Sequence, residues 1–145
     1  MAMPARILME ERKEKQLPRR KVLCIEDEPD IQKLLRIALN CRGCYQVLTA
    51  DNGQVGLELA ERERVDLILL DAMMPIMDGY ETCKKLKENP TTKDIPVIFL
   101  AAKTQAKEIQ KGLALGAVDY LTKPFDPLKL PDQIEEILGK VKDSS

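Results

Sequence analysis

Three short apolar runs of this chain end on charged side chains of the kind that phosphoryl chemistry uses. The run over residues 65–70 stops at Asp71, an earlier run stops at Glu26 and Asp27, and a later run stops at Lys123. If these runs are neighbouring parallel strands, their carboxyl ends meet at one edge of a sheet, where open α/β folds place their sites. The sequence therefore predicts that three carboxylates and one ammonium lie close together.

A carboxylate cluster of this kind is a hard-oxygen site, which selects magnesium over zinc or copper. We expect Asp27 and Asp71 to be direct ligands of Mg²⁺ and Glu26 to be a direct or water-mediated ligand. Met73 has no side-chain donor, so it can offer only its backbone carbonyl. The cation would also remove the cost of holding several anions together.

With the acidic cluster neutralised, an Asp71 oxygen can attack a phosphoryl group, as carboxylates do in aspartyl-phosphate chemistry. The Lys123 ammonium can pair with Asp71 at rest and with phosphoryl oxygens afterwards. In the segment DAMMPIMDG, Pro75 shapes the loop and Asp78-Gly79 begins the next helix. In TKPF, a proline follows Lys123 directly, which favours an extended lysine, and a cis peptide bond there would direct the lysine towards the site.

The elements that position these residues alternate between strand and helix patterns, which is typical of a parallel α/β sheet. The apolar character of DLILL and PVIFLAA indicates that both faces of the sheet are covered. A stripe from Ile31 to Leu39 predicts a helix that begins at Pro29. Strands are predicted at 21–26, 45–50, 65–70, 96–101 and 117–122, and further helices at 53–63, 79–88, 105–115 and 127–141.

Length and charge exclude several classes of protein. A chain of 145 residues suits one domain, and its 23 basic and 24 acidic residues give a net charge of −1 with no basic field for direct nucleic-acid binding. No apolar stretch approaches the roughly 20 residues of a membrane span, so we expect a soluble, cytoplasmic protein. Residues 1–20 are predicted to be a charged N-terminal extension, residues 21–142 the domain, and residues 143–145 a tail.

The four cysteines do not indicate a metal or redox site. Cys24 and Cys83 lie in apolar patterns and are predicted to be buried. Cys41 and Cys44 have redox or zinc spacing, but the chain has no histidine and no second cysteine pair to complete a zinc site. They also follow a helix end, where the helix dipole disfavours a thiolate.

The acidic pair, the motif D-x-x-M-P-x-M-D-G and the later K-P-F together resemble the receiver domain of two-component response regulators, over residues 21 to 141. The resemblance implies a flavodoxin-like, doubly wound, five-stranded parallel sheet in the order 2-1-3-4-5 with five helices. It also implies Asp71 as the phosphoacceptor, Glu26 and Asp27 as metal-site acids and the Met73 carbonyl as a ligand. Lys123 would contact the phosphate, and Tyr120 would be the mobile aromatic.

Two positions depart from this family's pattern. Receivers usually carry two aspartates after the first strand, and the first of them is Glu26 here. The family's Ser or Thr at the end of the fourth strand is Ala101, which cannot donate a hydrogen bond to the phosphoryl group. Because such a bond contributes about 1 to 3 kcal/mol, we expect phosphorylation to be less tightly coupled to the conformation of Tyr120.

Three classes of function remain in competition. The favoured one is a signalling receiver, not an enzyme, that a histidine kinase or phosphotransfer protein phosphorylates, with at most intrinsic autophosphorylation and autodephosphorylation. A phosphohydrolase would need a second acid two residues after the nucleophile, where Met73 stands. The third is a constitutive protein-binding module that has lost switching, which Ala101 supports. A nucleotide-binding module is disfavoured, because the first strand-to-helix turn is EDEPD instead of a glycine-rich phosphate loop.

The predicted output is a protein contact through helix 4, strand 5 and helix 5, a face that holds residues 105–111, Tyr120 and the last helix. A homodimer is an open alternative. The sequence is equally consistent with a complete single-domain regulator and with a receiver cut from a larger regulator or hybrid kinase.

Overall fold

The computed structural model describes residues 20–40, 45–74, 76–102 and 106–144, without the side chains of 106–109 and 142–144. Within these residues, five strands form one parallel sheet in the order β2-β1-β3-β4-β5. The strands are β1 Arg20–Ile25, β2 Tyr45–Ala50, β3 Leu67–Asp71, β4 Val97–Ala102 and β5 Asp119–Lys123. The helices are α1 Pro29–Asn40, α2 Gly53–Glu63, α3 Gly79–Glu88, α4 Ala106–Ala114 and α5 Leu130–Ser144. The predicted flavodoxin-like fold with five helices is confirmed.

Helices cover both faces of the sheet, as its continuous apolar strands require. On one face, α1 and α5 pack through Leu35, Leu39 and Ile134 against β-strand side chains such as Leu69 and Leu100. On the other face, α2, α3 and α4 cover a second buried cluster that contains Ile25, Leu70 and Phe99. Burial on both sides fixes the register of the strands, because a slip of one residue would exchange the two faces.

The predicted helices at 53–63 and 79–88 have the bounds that the structure shows. Asn52 caps the first, with its side chain accepting from the Val55 N–H, and Asp78 caps the second through the Glu81 N–H. Both residues are N-caps that the helix-start rules favour. Gly116, with a φ of 111°, ends the turn after α4 at the predicted exit.

The predicted strand 45–50 also has the bounds of β2, whereas most other bounds differ from the predictions by one to three residues. β3 begins at Leu67 instead of 65, because Asp66 is held in the preceding loop by hydrogen bonds with the Lys21 backbone. α5 begins at Leu130 instead of 127, because Asp126 accepts the N–H groups of Leu128, Lys129 and Leu130 and so builds a turn first.

Several predicted features lie outside the described residues. These are most of the N-terminal extension, the Cys41 and Cys44 pair, Pro75, and Gln105 of the predicted output face. The bounds of the extension, domain and tail stay predictions. Cys24 and Cys83 are buried, as predicted. No helix among the described residues is both long and apolar enough to cross a membrane.

Candidate functional site

Strand register brings the charged residues to one edge of the sheet. Ile25 of β1 is the partner of Leu70 in β3, so Glu26 and Asp71, one residue further on, lie side by side. On the other side of β3, β4 separates Asp71 from β5, and Lys123 ends β5 in register with Ala102. The long lysine side chain therefore reaches back across one strand to the acids.

The structure brings together four of the predicted site residues. Ligand oxygens of Glu26, Asp27 and Asp71 lie within 4.8 Å of one another. The Lys123 Nζ lies 2.9 Å from Glu26 Oε2 and 3.2 Å from Asp71 Oδ1. Glu26 is fully buried and Asp71 nearly so, whereas Asp27 is partly exposed and opens the cluster to solvent. The sequence predicted the pairing of Lys123 with Asp71 and did not predict its closer contact with Glu26.

Burial of the acidic cluster disfavours the ionised forms of its carboxyl groups. Burial raises the pKa of the Glu26 carboxyl from 4.5 to about 7, against the opposing effect of the Lys123 hydrogen bond. Burial also raises the pKa of Asp71, again against the lowering effect of Lys123. Burial lowers the pKa of Lys123, but its contacts with the two carboxylates outweigh this and hold that pKa above its usual value. The single Lys123 ammonium therefore compensates only part of the negative charge of the three acids. Their oxygen atoms would suit a divalent cation, which would supply the remaining positive charge.

The loop after Asp71 holds the carboxylate in place. Met73 donates its backbone N–H to Asp71 Oδ1 at 3.1 Å, while its side chain is exposed. Gly79 packs against the backbone of the strand end, because a Cβ there would lie 2.2 Å from the Asp71 carbonyl oxygen. The first turn of α3, at Asp78 and Gly79, therefore packs directly against the backbone of Asp71. The Lys123–Pro124 peptide bond is cis.

The two predicted switch positions lie on neighbouring strands. Ala101 is buried among the side chains under α2, α3 and α4, and it is in register with Thr122 of β5. Tyr120 is exposed, with 39 % of its surface accessible. Its role as a mobile aromatic stays a prediction.

Sequence reasoning missed one residue at this edge. Gln32, on the first turn of α1, donates its side-chain amide both to the Glu26 carbonyl and to Asp51 Oδ1. A glutamine beside an apolar helical stripe gives no sequence signal that separates it from any exposed polar residue. Only the position of α1 over the end of β1 identifies it.

Residues 22–135 match the sequence profile of the response regulator receiver domain. The match covers more than half of the chain and includes Glu26, Asp27, Asp71 and Lys123. The chain belongs to the response regulator receiver domain family.

Curated relatives are longer proteins. The alkaline phosphatase synthesis transcriptional regulatory protein PhoP of Bacillus subtilis is 41% identical over 121 residues, which cover 83% of this chain and 49% of PhoP. The DNA-binding dual master transcriptional regulator RpaA of Synechocystis is 41% identical over 122 residues, which cover 84% of this chain and 47% of RpaA. The chain therefore spans about half the length of the curated relatives that it matches.

Solved structures of similar size have the same fold. The chemotaxis response regulator CheY4 of Vibrio cholerae superposes with a TM-score of 0.77 at 33% identity, over 82% of this chain and 98% of that one. The receiver domain of a sensor histidine kinase from Pseudomonas aeruginosa, with a magnesium ion coordinated in its active site cleft, gives a TM-score of 0.75 at 30% identity, over 83% of this chain and 98% of that one. Both similarities cover more than four fifths of this chain.

Proposed function

We propose that this receiver domain accepts a phosphoryl group on Asp71 from a phosphohistidine of a histidine kinase or phosphotransfer protein. The observation that carries the proposal is the Lys123 ammonium, which lies within 3.2 Å of both Asp71 and Glu26 at the mouth of a three-carboxylate cluster. A nucleophile, a phosphate-binding cation and a candidate metal site thus share one edge of the sheet. Membership of the receiver family supports the same chemistry.

Glu26, Asp27 and Asp71, with the Met73 backbone carbonyl, would hold Mg²⁺. The fit rests on the donor set, which consists of hard oxygens at a partly solvent-exposed position. When bound, the magnesium ion would supply positive charge to the phosphoryl oxygens and to the carboxylates.

In the proposed transfer, a carboxylate oxygen of Asp71 attacks phosphorus, and a new P–O bond forms. The P–N bond to the donor imidazole breaks, and its electron pair stays on that nitrogen. Lys123 exchanges its contact with Asp71 for one with a phosphoryl oxygen, and its bond to Glu26 keeps the ammonium in reach. The Met73 side chain cannot donate a proton to a leaving group, so we propose a stored acyl phosphate and not a phosphohydrolase.

We further propose that output uses the face formed by α4, β5 and α5, through a protein target or a second copy of the chain. Half-exposed Tyr120 lies on this face. Because Ala101 supplies no hydroxyl, the switch between inactive and active conformations should be weakened. Where this domain is part of a longer regulator of the PhoP or RpaA type, DNA contacts are proposed to lie in the other half of that regulator.

The experiment that tests the proposed chemistry is labelling with acetyl phosphate. We expect the purified chain to take up one phosphoryl group when Mg²⁺ is present and none with excess EDTA. Hydroxylamine should release the label, because it cleaves acyl phosphates and leaves phosphate esters of serine, threonine or tyrosine intact. A label that forms in EDTA or that resists hydroxylamine would contradict the proposal.

A further inference from the structure

Both backbone groups of Glu26 are hydrogen-bonded to other elements. Its N–H donates to the Ala50 carbonyl at the end of β2, at 3.0 Å. Its carbonyl accepts from the Gln32 side-chain nitrogen at 2.5 Å. That carbonyl belongs to the peptide group that joins Glu26 to Asp27, so its direction sets how the two acidic side chains leave the backbone.

The same Gln32 nitrogen has a second hydrogen, which it donates to Asp51 Oδ1 at 2.8 Å. A primary amide nitrogen has two donors, and both are used here. Gln32 thus bridges the end of β1, which carries the acids, to the first residue after β2.

Asp51 is exposed, but the residues that follow it pack against the segment after Asp71. Asn52 caps α2, and Gly53 approaches α3 so closely that a Cβ would lie 2.2 Å from Thr82 Oγ1 and 3.0 Å from Met77 Sδ. The junction between β2 and α2 therefore touches the segment that follows Asp71 and, through Gln32, the segment that carries Glu26 and Asp27.

We propose that Gln32 is a positioning residue for the magnesium acids, which fixes the peptide between Glu26 and Asp27 against Asp51. This inference rests on the proposed function, since it assumes that the three carboxylates hold magnesium. Outer residues that orient metal ligands typically change metal affinity about 10- to 100-fold when they are replaced. Gln32 acts through backbone orientation, so its effect falls on the binding of Mg²⁺ and not on the attack by Asp71.

The test compares Gln32→Met with Gln54→Met. Methionine keeps the length of glutamine without its donors, and Gln54 is an exposed α2 residue whose side chain donates to Glu58 one turn away. Calorimetry should give a magnesium dissociation constant that is about tenfold higher for Gln32→Met and unchanged for Gln54→Met. The magnesium concentration for half-maximal phosphorylation by acetyl phosphate should rise by the same factor, while the rate at saturating magnesium stays within about twofold.

Two variants at Asp51 test the bridge from its other end. Asn keeps the acceptor oxygen and Ala removes it, and both remove the charge. Asp51→Ala should bind magnesium about threefold more weakly than Asp51→Asn, the effect of one exposed hydrogen bond. In the metal-free wild type, the Gln32 side-chain amide protons should exchange with solvent more slowly than those of Gln54.

Equal magnesium affinity in wild type and Gln32→Met would overturn the positioning role and leave the proposed function intact. If Gln32→Met does not fold, equal affinity in the two Asp51 variants would overturn it instead. A wild-type chain that neither binds magnesium nor accepts a phosphoryl group would overturn the proposed function and this inference together.

Discussion

At the scale of single residues, Lys123 connects two buried carboxylates that would otherwise face each other without compensation. Its contacts of 2.9 Å with Glu26 and 3.2 Å with Asp71 raise its own pKa despite burial. The lysine is thus part of the resting fold as well as the proposed phosphate contact. Removing it should affect stability before any phosphoryl group is present.

Lys123→Met is predicted to lower the free energy of unfolding of the metal-free protein by about 3 kcal/mol, because it leaves buried charges without their partner. Urea unfolding should be measured at pH 8, above the wild-type Glu26 pKa of about 7, so that Glu26 is mostly ionised in the wild-type protein. Added magnesium should restore part of the loss.

The matched control is Lys140→Met, since Lys140 and Glu136 are 3.9 Å apart and 72% and 71% exposed. That exposed pair should contribute less than about 1 kcal/mol. Equal losses in the two variants would refute the compensating role of Lys123.

Ala101 offers a second test at residue scale. Ala101→Thr should enlarge the NMR shift changes around Tyr120 on phosphorylation, because the new hydroxyl can bond a phosphoryl oxygen and so favour one conformation. Ala101→Val has the same shape without the hydroxyl and is the control for packing in this buried position. If wild type already responds as strongly as the Thr variant, or if Val acts like Thr, the hydroxyl does not matter here.

At the scale of elements, α3 begins directly on the strand end that carries Asp71. The Gly79 N–H donates to the Ala72 carbonyl at 3.1 Å, and the Gly79 Cα faces the Asp71 backbone. Any side chain at position 79 would push the helix away from the strand. The glycine therefore sets the distance between α3 and the loop that orients Asp71.

Gly79→Ala is predicted to lower the free energy of unfolding by about 2 kcal/mol, because overpacking against backbone outweighs the better helix propensity of alanine. Gly139→Ala is the control, since a Cβ at this α5 position meets nothing within 4 Å. It should raise the free energy of unfolding by about 0.5 to 1 kcal/mol. Denaturant unfolding of both variants measures the difference, and destabilisation by Gly139→Ala as large as that by Gly79→Ala would contradict the contact.

The bounds of a helix were predictable from the sequence where its capping residues and its apolar pattern indicate the same start and end. Asn52 and Asp78 are strong N-caps followed by apolar stripes, so α2 and α3 have their predicted bounds. The start of α5 was not predictable, because the turn at Asp126 depends on side-chain hydrogen bonds that compete with the helix. The bridge by Gln32 was not predictable either, since it joins residues that only the packing of α1 brings together.

At the scale of the whole molecule, metal binding at the site can affect stability because the site residues stand at the ends of β1, β3 and β5, which lie apart in the sequence. Asp27 and Lys123 are brought together only by the folded sheet. An ion that binds all three acids therefore binds the native state and not the unfolded chain. Binding of this kind stabilises the fold by linkage.

Magnesium is predicted to raise the free energy of unfolding by about 2.7 kcal/mol at a concentration one hundred times its dissociation constant. Thermal melting with and without magnesium measures this effect. Asp27→Ala should abolish the shift, whereas Glu61→Ala, an exposed α2 residue outside the acidic cluster, should retain it. A magnesium shift that persists in Asp27→Ala would place the ion elsewhere.

The central claim is that Asp71 alone accepts the phosphoryl group, because it alone combines a strand-end carboxylate with the acids of β1 and the ammonium of β5. The most direct measurement is the intact mass of wild type and Asp71→Asn after incubation with acetyl phosphate and magnesium. We expect a gain of one phosphoryl group in wild type and no gain in the Asn variant. A gain of the same size in Asp71→Asn would contradict the assignment of Asp71.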